Sequence, residues 1–175
     1  MYENTYPSKR FSESLAFIQK HFPVPISVLD LGVRNPFSEI LEKEGYQVTN
    51  TSGIDLDIDR SELILHQPKL TTALEIFEHL ISPFEVLRSI KSEYLIASVP
   101  LQLWFAKAYR NPKDERDQHF HEFEDWQFDW LLQKSGWEII DSKKFTNPVK
   151  KLGIRPLLRS FTPRYYIVFC KRMNA

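Results

Sequence analysis

The chain has 175 residues, with 23 Lys and Arg against 23 Asp and Glu, so its formal net charge is zero. That balance argues against a uniformly basic nucleic-acid binder and against an acidic solvating chain. Hydrophobic residues at 42% and aromatics at 14% exclude disorder as the default, and one cysteine, Cys170, excludes a disulfide framework or a cysteine-rich zinc site within one chain. The length fits one domain spanning residues 1–175.

From the N-terminus, Phe11, Leu15, Ile18 and Phe22 fall on one face of a helix over 8–22, which Pro23 and Pro25 stop. ISVLDLG, residues 26–32, reads as a buried strand ending at Gly32. PFSEILEKE, 36–44, is a short helix with Pro36 at its start and Gly45 past its end. YQVTNTS, 46–52, is a second strand, and IDLDID, 54–59, alternates apolar and acidic residues as a half-buried strand or extended loop does. LTTALEI, 70–76, is a further strand. Ser82, Pro83 and Glu85 then have the spacing of a helix start with a capping box. YLIASVP, 94–100, is a strong strand, and the polar and aromatic stretch 101–123 is long enough for a functional loop. A helix over 124–135 precedes two last strands, 137–145 and 164–172.

Strands alternating with helices predict an α/β fold with a mostly parallel sheet, and the closing strand pair predicts an antiparallel strand at one edge. No apolar run approaches the ~20 residues of a membrane span, and the polar start lacks a signal-peptide pattern. The expectation is a soluble, cytoplasmic protein. The zero charge conceals a division: residues 143–175 carry nine basic side chains and no acid, while residues 1–142 carry 14 basic and 23 acidic ones.

In an open α/β sheet, ligands bind beyond the carboxyl ends of the strands. That rule selects Asp30, Leu31 and Gly32, then Thr51 and Ser52, Asp55 and Asp57, Glu75 through His79, and Pro100 with its loop. The plainer reading of Asp30 and Gly32 is a helix cap and a chain turn.

VLDLG at 28–32, GYQVT at 45–49, ALEIFEHLISPFEVLRSI at 73–90, YLIASVP at 94–100 and HFHEFEDWQFDWLLQKSGWEII at 119–140 stand in the order found in class I S-adenosylmethionine-dependent methyltransferases, which the chain resembles over most of its length. The resemblance implies a Rossmann-like, seven-stranded, mostly parallel sheet with helices on both faces and an antiparallel C-terminal strand. It implies S-adenosyl-L-methionine as cofactor, held by Asp30, Leu31, Gly32, Val33 and Asn35 on the methionine side. Ser52, Asp55 and Asp57 would hold the nucleoside side, and Glu75 would line the cleft near the reactive methyl group. Arg34 and Pro36 stand where the family loop usually carries its second and third glycines, and Thr51 or Ser52 stands where the second strand usually ends in an acid. Arg34 either turns outward, pairs with the cofactor's carboxylate, or marks a degenerate site.

His79, or His119 or His121 on the long loop, is a candidate base for methyl transfer, since imidazole titrates near neutrality. Glu78 is a candidate catalytic or loop-orienting residue. Glu75, Glu78, His79 and a later histidine also resemble the divalent-metal set of small-RNA 2′-O-methyltransferases, although the expected reading assigns no metal. A small-molecule or glycan-type acceptor leads. A non-catalytic relative and a metal-assisted RNA 2′-O-methyltransferase are the alternatives, with nucleic acid the less expected partner. A dinucleotide oxidoreductase fits poorly, because Gly32 alone does not make its glycine-rich turn. The link 146–163, with basic residues among leucines, reads as a lid, a contact between copies or a patch for an anionic acceptor.

Overall fold

The computed structural model describes residues 8–114, 116–146, 158 and 161–173. Helices and strands follow in the order α1 (Ser8–His21), β1 (Ser27–Asp30), α2 (Pro36–Lys43), β2 (Gln47–Asn50), α3 (Ser61–Leu65) and β3 (Leu70–Leu74). A 3-10 turn (Phe77–His79), α4 (Pro83–Ser89), β4 (Tyr94–Pro100), α5 (Asp125–Lys134), β5 (Trp137–Phe145) and β6 (Tyr165–Arg172) complete them. The sheet order is β2-β1-β3-β4-β6-β5. The first four strands are parallel, and β6 is antiparallel to both β4 and β5.

Each face of the sheet is covered, because apolar side chains alternate across the strands. One face packs Val28, Leu70, Ile96 and Ile167 against Phe11, Phe17 and Ile18 of α1 and Phe37 and Leu41 of α2. The other packs Leu29, Ala73, Leu95, Ala97, Val99 and Val168 against Leu63, Val86, Leu87, Phe128 and Leu132. Trp137 is fully buried there, donates its ring N–H to the Leu87 carbonyl at 3.2 Å and lies under the Arg172 guanidinium.

Three expectations change. The sheet has six strands among the described residues, not seven. Of the two readings of IDLDID the loop holds and the strand does not, because its acids are taken up by backbone N–H groups: Asp55 accepts from Asp57, Asp59 from Ser61, and Asp57 from both Ile81 and Ser82. With only the short α3 between β2 and β3, no room is left for another strand and its crossover. The antiparallel strand is also not at the edge; β6 lies inside and β5 forms the rim. The start of α4 differs in detail, since Ser82 makes no side-chain cap bond and Asp57 takes the Ser82 N–H from outside the helix. Most of the link 146–163 lies outside the described residues.

Candidate functional site

The chain leaves β1 in one direction, through α2 to β2, and returns to β3 on β1's other side. The carboxyl ends of β1 and β3 therefore diverge into a crevice, the place where this topology receives ligands. Asp30 to Asn35 form one wall and Glu75 to His79 the other.

Asp30 organises the first wall. Its carboxylate is buried and accepts hydrogen bonds from Thr72 Oγ1 at 2.6 Å, Ser38 Oγ at 2.9 Å, and the side-chain amides of Asn35 and Asn50 at 3.1 Å each. Burial pushes its pKa up against the lowering pull of those donors. Asn35 in turn caps α2 by accepting from the Phe37 and Ser38 N–H groups. One carboxylate thus ties β1, β2, β3 and α2 together beneath the loop. Above it, Gly32 has φ +100° and donates its N–H to Thr51 Oγ1 at 2.7 Å. A Cβ there would meet only Ile76 Cδ1, at 3.7 Å, so the glycine leaves bare backbone facing the crevice. Arg34 turns away, forming a two-pronged ion pair with Glu42 on α2 at 2.5 and 2.6 Å.

At the end of β2, Ser52 is exposed and its N–H donates to Glu62 of α3 at 2.9 Å. Gly53 packs so closely against Val33 that an added Cβ would lie 2.5 Å from Val33 Cγ1. Arg116, from the loop after β4, reaches across to donate to the Gly53 carbonyl at 2.7 Å.

On the second wall Glu75 takes a left-handed backbone, φ +59°, rare for a residue with a side chain. Its carboxylate accepts from Ser98 at 2.9 Å and faces Arg10 of α1 at 3.5 Å. Glu78 is 1% exposed, and neither of its carboxylate oxygens has a hydrogen-bond partner. Burial, then the neighbouring Glu75 charge, holds its pKa well above the ordinary value. Its backbone carbonyl accepts from the Phe120 and His121 N–H groups, which pins the long loop to this wall. His79 Nδ1 lies 3.0 Å from the Gln118 carbonyl, and His119 Nδ1 lies 2.8 Å from Glu122 Oε1. The two imidazoles meet edge to face, 5.0 Å between centres. Burial, then the nearby His119, lowers the His79 pKa.

No family model matches the chain, and no curated protein matches it. Solved structures do. An N1-methyltransferase for 1,6-didemethyltoxoflavin from Burkholderia thailandensis, solved with 1,6-didemethyltoxoflavin and S-adenosylhomocysteine bound, superposes over 94% of this chain and 78% of its own at TM-score 0.69 and 14% identity. An S-adenosylmethionine-dependent methyltransferase from Archaeoglobus fulgidus matches 95% of each chain at TM-score 0.64 and 16% identity. The chain has the class I methyltransferase fold. The [4+2]-cyclase SpnF shares it, at TM-score 0.58 and 10% identity.

Within the methyltransferase fold, the residues singled out from sequence divide in four. Asp30, Leu31, Gly32, Val33 and Asn35 form one wall of the crevice, while Glu75, Glu78, His79 and His119 gather on or beside the other. Asp55 and Asp57 bend the chain between β2 and β3, with Asp57 occupied by Ile81 and Ser82. His121 stands apart, stacked on Phe123 with Nε2 3.4 Å from the Ile81 carbonyl. Among the loop aromatics, Phe123 joins the core, whereas Trp104 and Phe120 are exposed. Sequence reasoning missed Glu122, which holds His119 from three residues away, and Asn50, which bonds both the Asp30 carboxylate and the Gly32 carbonyl. The first was visible as a short-range His–Glu spacing. The second had no local signal, since strand pairing brings it in.

Proposed function

We propose that residues 1–175 are a single methyltransferase-like domain that binds S-adenosyl-L-methionine in the crevice between β1 and β3 and methylates oxygen or nitrogen of a small-molecule or glycan-type acceptor. The observation that carries this reading is the bare, left-handed Gly32 backbone, braced from below by Asp30, with Glu75, Glu78 and His79 following the neighbouring strand β3. Arg34, which stands at a glycine place, is drawn off by Glu42 and leaves that cradle open. The fold, and relatives of the same fold that hold S-adenosylhomocysteine or carry its chemistry, support the cofactor assignment.

When bound, the cofactor supplies an electrophilic methyl group. Leu31, Gly32 and Val33 offer backbone to its methionine end, with Asn35 beside them. Ser52 and Asp55 face the nucleoside side, and Glu75, turned by its left-handed backbone, lines the middle of the crevice. Asp57 holds the adjoining chain rather than the ligand. His79 and His119 each have one ring nitrogen tied back, and with no metal bound there the other is left to accept a proton from an acceptor group. The loop 101–123 reaches across to the end of β2 through Arg116.

Calorimetric titration with S-adenosylhomocysteine tests the reading, with 1:1 binding expected. No heat and no thermal shift at millimolar ligand overturn it. A second reading, a non-catalytic protein of this fold, draws on the end of β2, where hydroxyls stand in place of an acid. It predicts weak binding with no methyl transfer to any acceptor panel. Salt-sensitive binding to short RNA would instead point to an RNA acceptor.

A further inference from the structure

We propose that Glu78, His79 and His119 form a binding site for one divalent transition-metal ion. One ligand atom from each of the three lies within 4.8 Å of the others. Three features of the surrounding structure point to a cation.

Glu78 is the first. Its side chain is almost wholly removed from water, yet both oxygens lack any donor, although buried carboxylates are normally met by several. Asp30, equally buried, shows the usual pattern with four donors around it. Glu75 is not part of the group, because Ser98 and Arg10 already satisfy it.

The tautomers are the second. His79 Nδ1 faces a carbonyl and His119 Nδ1 faces a carboxylate, so each neutral ring carries its proton on Nδ1. Each Nε2 is left with a lone pair. His79 Nε2 sits 3.8 Å from Glu78 Oε1, too far for a hydrogen bond. One ligand atom from each side chain is therefore gathered around a carboxylate that takes part in no hydrogen bond.

The outer partners are the third. A metal-bound histidine typically gives its second ring N–H to a carboxylate or a backbone carbonyl, which fixes the ring. Both histidines have such a partner, Glu122 for one and Gln118 for the other. Glu122 is itself anchored by the Tyr109 N–H at 3.0 Å, so it is a positioning residue built into the loop. Two imidazoles and one carboxylate suit zinc, cobalt, iron or manganese better than calcium or magnesium. Ligand atoms around a tetrahedral zinc stand about 3.4 Å apart, which these side chains, within 4.8 Å of one another, reach by contracting up to about 1.4 Å.

The test uses untagged full-length protein, stripped by chelator dialysis and titrated with zinc by calorimetry and with cobalt by visible absorption. One ion per chain is expected, with a cobalt spectrum that zinc abolishes. His79→Ala and His119→Ala should each remove binding, and Glu122→Gln should weaken it about 10–100-fold while leaving the fold intact by circular dichroism. No binding at millimolar metal, or binding unchanged in both histidine variants, overturns the proposal. Should His119→Ala fail to fold, the Glu122→Gln affinity still decides: an unchanged value sinks it. S-adenosylhomocysteine titrated into the same stripped protein keeps the outcome separate from that of the proposed methyl transfer.

Discussion

Asp30→Ala removes the acceptor shared by Thr72, Ser38, Asn35 and Asn50 at a position only 3% exposed. Each buried donor left without a partner costs about 1–3 kcal/mol, so four together would set an upper bound of about 12 kcal/mol, although Asn35 keeps the Val33 carbonyl and Asn50 the Gly32 carbonyl as acceptors. Relaxation and water entering the vacated space lower that, so about 4 kcal/mol is expected. For a chain of this length that is a drop of about 8–16 °C in melting temperature. Asp30→Asn is the informative control. Its amide oxygen can still serve Ser38, Asn35 and Asn50, while its NH2 faces Thr72, whose hydroxyl can rotate to accept. The expected cost is about 1 kcal/mol, or about 2–4 °C. Thermal melts by circular dichroism read both variants, and S-adenosylhomocysteine titration should show binding lost in the alanine variant and kept in the asparagine one. An alanine variant melting within about 3 °C of the parent, or an asparagine variant as damaged as the alanine one, would refute the hub.

Three further outcomes are expected. Burial lowers the folded-state His79 pKa, so the unfolded chain binds more protons at this residue. Its contribution to stability is therefore present above the unfolded value of about 6.5 and is lost as pH falls through the folded one; His79→Gln should flatten that part of the melting-temperature profile of chelator-treated protein. Gly53→Ala combines a left-handed backbone with a contact at 2.5 Å to Val33, so it should destabilise more than Gly32→Ala, and adding Val33→Ala should recover the difference in a double-mutant cycle. Arg34→Ala should leave S-adenosylhomocysteine affinity unchanged, because that guanidinium pairs with Glu42 away from the crevice; a clear loss would place it in the site instead.

What the sequence made legible was what periodicity and punctuation encode. Pro36 and Gly45 bracket α2, Pro83 opens α4, and the apolar runs at 27–30, 70–74 and 94–100 are the central strands. IDLDID stayed open between strand and loop because an alternating pattern does not say whether the polar residues face water or bind backbone; here Asp57 serves N–H groups more than 20 residues away. The crevice was readable as a set of strand ends, but not its bonding. Asn50 and Thr72 reach Asp30 only through strand pairing, and Glu78 gave no hint that its oxygens would be left without donors.

The sheet also ends differently on its two sides. On one rim β2 is four residues long, with exposed Gln47 and Thr49 pointing out of it. On the other, β5 carries exposed Glu138, Lys143 and Lys144 and a bulge between Ile139 and Asp141. A growing fibril needs a long, flat, apolar edge to copy, and both rims fall short of one, the first by brevity and the second by charge and a kink. Shortening the sheet at β2 thus left a rim too small to template another chain.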